Sequence, residues 1–78
     1  MTAEQEERLR EVIAETLGID IEDVGDETSP QTVAAWTSLN HLTLMSAIEE
    51  AFGIQMSMED MAVAQSYATL RETVDRLL

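Results

Sequence analysis

Leu9, Val12, Ile13, Thr16 and Leu17 recur at steps of three and four residues. That spacing predicts an amphipathic helix over residues 3–17 with one buried stripe. Glu4, Glu6 and Glu7 fall near its positive dipole end, and the pairs Glu4–Arg8 and Glu6–Arg10 are spaced for weak surface ion pairs. Gly18 follows the last apolar position, where a left-handed cap is commonly needed. Residues 19–36 then lose the helical period. Ile19, Ile21 and Val24 alternate with acids, and Gly25, Ser29 and Pro30 add turn signals. So long a connection is unusual in a small domain. Ile19, Ile21 and Val24 are expected to pin its first half to the core, Val33 and Trp36 its end, with room for one hidden helical turn.

The period returns over residues 38–52. Leu42, Met45, Ile48 and Phe52 make one stripe, widened by Leu44 and Ala51. Thr37 or Ser38 can cap its start, and Gly53 ends it. Ser57-Met58-Glu59-Asp60 has the form of a capping box and predicts a short third helix to about Ala64. Ser66 caps a last helix with Tyr67, Leu70, Val74 and Leu77 on one face. The prediction is all-α: a small four-helix bundle of three long helices and one short, with a long loop between the first two.

Composition narrows what such a bundle does. At 78 residues, the chain is long enough for one domain and one modest core, and a substrate cleft between domains is hard to build from it. Cysteine is absent, so apolar packing alone must hold the fold. The 45% apolar content argues against disorder. Sixteen acidic residues against four arginines give a net charge of −12. That field repels nucleic acids and anionic membranes and favours encounter with basic protein surfaces, although surplus carboxylates also simply keep a small domain soluble. The polar start of the chain has no signal-peptide core, and no apolar run approaches a membrane span. A cytoplasmic location is expected.

Three candidate chemistries are weighed against plainer readings. The acidic cluster Asp20, Glu22, Asp23, Asp26 and Glu27 invites a calcium loop, but Val24 and Gln31 occupy its fifth and twelfth places, so a solvated acidic loop is favoured. Ser38 and His41 share a helical face, yet no orienting acid or oxyanion hole accompanies them, and His41 reads better as a surface histidine than as a base. Met45, Met56, Met58 and Met61 could line an adaptable groove; gap-filling core residues are the simpler reading. Ser38 stands out for another reason. At a predicted helix start, unpaired N–H groups and the dipole favour an attached phosphate diester, although an N-cap serine is commonplace.

The stretch Trp36-Thr37-Ser38-Leu39-Asn40-His41-Leu42-Thr43-Leu44 resembles the segment around the modified serine of the acyl carrier protein family. Ala47-Ile48-Glu49-Glu50-Ala51-Phe52-Gly53-Ile54 is similar to that family's second-helix end at ungapped spacing. Ser57 to Asp60 and Ser66-Tyr67 fall where its third and fourth helices begin. Residues 18–26 match in length and character, so the likeness runs through essentially the whole chain.

The resemblance implies a single carrier domain over residues 1–78, expected to be monomeric and without catalysis of its own. It implies that Ser38 accepts phosphopantetheine from coenzyme A through a phosphopantetheinyl transferase, and that the arm's thiol carries acyl thioesters. Partners would be that transferase and acyl-transferring or condensing enzymes with basic docking patches, in a fatty acid-like, polyketide-like or specialised pathway. Recognition falls on Thr37, Leu39, Asn40, His41, Leu42, Met45, Glu49 and Glu50; Leu39, Leu42 and Met45 lie beside the arm as partner contacts or as interior that admits an acyl chain. The family has aspartate where this chain has Thr37. Threonine still caps the helix, but the charge that helps dock the transferase and its magnesium is missing, which points to a specialised partner set. It also leaves an alternative, an unmodified carrier fold acting as an acidic interaction module.

Overall fold

A computed structural model of the chain describes all of residues 1–78. Four helices follow one another: α1, Ala3–Leu17; α2, Ser38–Phe52; α3, Met58–Val63; and α4, Tyr67–Leu77. One 3-10 turn, Ile21–Asp23, lies inside the long connection between α1 and α2.

A hydroxyl begins each helix. Thr2, Thr37, Ser57 and Ser66 each accept the backbone N–H three residues on, at 3.0–3.1 Å. This satisfies one of the donors that a helix start leaves unpaired. At α1, α3 and α4 the third residue answers with its side chain, completing a capping box. α1 and α2 both stop at glycine, Gly18 and Gly53, with φ of 68° and 64°. A side chain at such a φ is strained, and glycine is not.

The core sits where α1, α2 and α4 meet. Leu9 and Ile13 of α1, Leu44, Met45 and Ile48 of α2, and Leu70 and Val74 of α4 are fully buried. Each such side chain contributes about 1.5–3 kcal/mol by leaving water. The apolar face of α2 differs from the expected stripe. His41, Leu44, Met45 and Ile48 point inward, Phe52 is half-buried, and Leu42 is 59% exposed. α2 carries leucines on several faces, so its periodicity does not define one rotation, and tertiary packing selects it. The methionines divide as well: Met45 and Met56 are buried and Met61 packs against the core, but Met58 is 87% exposed rather than filling a gap.

The long connection is tied down through its polar groups. The Arg10 guanidinium donates to the carbonyls of Ile21 (2.9 Å) and Val24 (3.1 Å). Buried Thr28 accepts from Gly25 N–H (2.8 Å) and donates to the Asp23 carbonyl (3.0 Å). Its own carbonyl accepts the Tyr67 N–H at 2.8 Å, joining the loop to the head of α4. Val24 and Trp36 are buried as expected, and Ile19, Ile21 and Val33 pack against the core.

The intrahelical pairs expected on α1 do not form. Glu6 accepts from Arg71 (3.0 Å) and from the Tyr67 hydroxyl (3.2 Å) of α4, and Arg10 lies 3.9 Å from Glu7. Partners on another helix offer Glu6 two donors at once, more than one exposed turn provides. The Arg71 and Tyr67 hydrogen bonds hold the Glu6 carboxyl below its ordinary range. Burial, then the charge of Glu6, pushes the Tyr67 phenol up.

Candidate functional site around Ser38

Ser38 is the first residue of α2, and Thr37 rather than Ser38 is the cap. The division has a local cause. Thr37 adopts extended backbone, φ −84° and ψ 170°, and its Oγ1 accepts the Asn40 N–H at 3.1 Å. Its carbonyl accepts the His41 N–H at 2.8 Å. Ser38 therefore stands exposed with an uncommitted hydroxyl. The N–H groups of Ser38 and Leu39 take no acceptor from the chain, leaving the positive end of the helix open to an anion.

The chain leading into α2 is held by side chains of the first helical turn. Asn40 Nδ2 donates to the Ala35 carbonyl at 2.7 Å. Behind it lies a buried relay. The Trp36 indole N–H donates to His41 Nδ1 at 2.9 Å, and His41 Nε2 lies 2.8 Å from the Met61 carbonyl. A carbonyl only accepts, so Nε2 carries the proton and Nδ1 is the acceptor, one neutral tautomer that satisfies both partners.

This corrects the surface reading of His41. The residue is 9% exposed and joins the approach to α2 with the last turn of α3. An imidazole on the helix face that meets α3 is bonded at both nitrogens, so burial leaves no polar atom unpaired. His41 thus has no free nitrogen to act as a base towards Ser38, and no open edge for a partner. Met45, fully buried in the core, is equally closed to direct contact with a partner, leaving its place in the interior.

The remaining recognition candidates share the accessible side of α2. Leu39 is 74% exposed and Leu42 59%. Thr37 and Glu50 are exposed, while Glu49 is half-buried and accepts the Met56 N–H at 2.7 Å. No acid lies in the first turn of α2, so the helix presents apolar side chains beside Ser38 and carboxylates only near its far end.

Gln65, on the short connection from α3 to α4, is the residue at this site that the sequence pattern did not single out. With Pro30, Trp36, Thr37, Ser38 and His41 it borders a cavity of about 150 Å³ beside the serine. Its distance of 27 positions along the chain from Ser38 hides it from any local spacing rule.

The fold is thus an all-α bundle that exposes an uncommitted serine at the open head of a helix. A family model described as the phosphopantetheine attachment site matches residues 7–77. The chain belongs to that family, and its group is covalent phosphopantetheine. Carrier domains of this kind do no catalysis themselves; they work with modifying and acyl-handling enzymes. The site suits the group: an exposed hydroxyl can form the phosphodiester, and the N–H groups of Ser38 and Leu39 can receive its charge.

Proposed function

We propose that Ser38 is the attachment residue and that the chain carries acyl groups as thioesters for the enzymes of a biosynthetic pathway. One observation carries this reading. Of the hydroxyl residues at the four helix starts, Thr2, Thr37, Ser57 and Ser66 are occupied as caps, and Ser38 alone, one place inside α2, keeps its hydroxyl uncommitted.

In the loading step, Ser38 Oγ forms a bond to phosphorus and the phosphoanhydride of coenzyme A breaks, releasing adenosine 3′,5′-bisphosphate. The serine proton leaves to a base of the transferase, since His41 is bonded at both nitrogens. Bound phosphopantetheine supplies a terminal thiol that holds acyl groups as thioesters. Tethering makes the encounter of cargo and enzyme effectively intramolecular once the carrier has docked, with effective concentrations of about millimolar order for a short flexible tether. Leu39 and Leu42 offer apolar contact next to Ser38, while Glu49, Glu50 and the overall acidity favour enzymes with basic docking patches.

Thr37 supports a second reading, an unmodified carrier fold that binds partners through its acidic surface. Incubation with coenzyme A, magnesium and a promiscuous transferase separates the two. The first reading expects one phosphopantetheine on the wild type and none on Ser38→Ala, whose circular dichroism stays that of the parent. An adaptor instead binds its partners equally well with either residue and gains no mass.

A further inference from the structure

The cavity beside Ser38 has a distinct chemistry. It is a recess partly open to solvent, with a volume of about 150 Å³. The Pro30 ring and the Trp36 indole supply apolar wall; Thr37 and Gln65 supply polar wall. The Trp36 indole N–H goes to His41 Nδ1, and His41 Nε2–H goes to the Met61 carbonyl. Gln65 Nε2 lies 3.4 Å from His41 Nε2. Two N–H donors in that position do not bond each other, so the Gln65 carboxamide keeps its hydrogen-bonding capacity for something else.

We propose that this cavity seats the proximal segment of the phosphopantetheine arm, with Gln65 as its hydrogen-bond partner. The proposal rests on Ser38 as the attachment residue. Beyond its phosphate the arm has a carbon bearing two methyl groups, then a hydroxyl, then an amide. The two methyl groups match the Pro30 and Trp36 wall in size and polarity, and the hydroxyl and amide that follow match a carboxamide. The arm would then leave Ser38 across the connection between α3 and α4 and lie on the surface of the domain at its root, with only its distal part swinging free.

Trp36 is the only tryptophan, so its indole N–H gives one identifiable NMR signal. The test compares ¹⁵N-labelled apo protein with protein loaded from coenzyme A, in the wild type and in Gln65→Ala, with intact mass recorded on every sample. Expected on loading the wild type are a shift of the Trp36 indole signal and of the Gln65 side-chain amide, with cross-relaxation between the arm methyl protons and the indole ring. Gln65→Ala, a change at an exposed position, should in its loaded form, identified by intact mass, keep the apo indole signal of the parent and lose that cross-relaxation. Gln65→Asn should restore part of it. A loaded wild type with no arm-to-indole cross-relaxation overturns the proposal while leaving the Ser38 reading intact. Undiminished cross-relaxation in Gln65→Ala overturns the assignment of Gln65. A wild type that gains no mass overturns both.

Discussion

Thr37 and Ser38 divide two tasks that a single hydroxyl at a helix start cannot perform together. A capping oxygen must face the N–H groups of the first turn, whereas an attachment oxygen must face solvent. Thr37→Ala should therefore cost about 1 kcal/mol of stability, read as a lower urea midpoint, while leaving Ser38 open to modification. His41 carries a larger stake. In His41→Leu the Trp36 indole N–H and the Met61 carbonyl lose their partner, and each polar group left buried and unsatisfied costs about 1–3 kcal/mol. Urea unfolding followed by Trp36 emission should show a destabilised variant with an altered native spectrum; an unchanged midpoint would count against the relay. Ser38 came forward through the likeness of residues 36–44 to the family's segment, since a serine at a helix start is commonplace by itself. His41 was not, because its partner Trp36 precedes the helix and Met61 lies on another one, and helical spacing encodes neither relation.

The boundaries of the elements were legible for a local reason. Hydroxyl caps and terminal glycines are short-range chemistry: all four helices start at such a hydroxyl, and α1 and α2 stop at such a glycine. The rotation of α2 was not, since Leu39 and Leu42 lie on one face and Leu44 on another, and only the neighbouring helices choose between them. The order of the long connection was hidden for the same reason: Arg10, which reads as a surface residue of α1, holds two carbonyls of the loop. Hydrogen bonds of a charged donor contribute about 1.5–3 kcal/mol each, so Arg10→Ala should lower stability by a few kcal/mol at most. Amide hydrogen exchange should quicken most over residues 19–28; uniform quickening would contradict a local staple. At the end of α1, Gly18→Ala meets no atom within 4 Å but must hold a φ of 68°. The expected cost is about 1–2 kcal/mol, with the helical circular dichroism unchanged.

Across the whole molecule, twelve uncompensated negative charges surround a body whose radius of gyration is 11.1 Å. The screening length is about 10 Å at 0.1 M salt and about 3 Å at 1 M. Repulsion therefore spans the domain at moderate ionic strength, and raising sodium chloride from about 0.05 to about 1 M should increase the melting temperature. The acid side follows from two carboxyls. Glu6 is held low by its bonds to Arg71 and Tyr67, and Asp60 by the Ser57 backbone N–H, with further help from Arg76. A carboxyl depressed on folding favours the native state when ionised. Its contribution is complete above the ordinary carboxylate range and is lost as pH falls through that range to the folded value. Glu6→Gln should flatten the acid limb of a stability–pH curve; an identical limb would show that Glu6 contributes nothing to it.

The central claim concerns one oxygen atom, and intact mass reads it directly. Wild type, Ser38→Ala and Thr37→Asp would be incubated with coenzyme A, magnesium and a promiscuous phosphopantetheinyl transferase. The account predicts a gain of one phosphopantetheine on the wild type and on Thr37→Asp, and none on Ser38→Ala. A gain that persists in Ser38→Ala, or a wild type that stays unmodified, would contradict it.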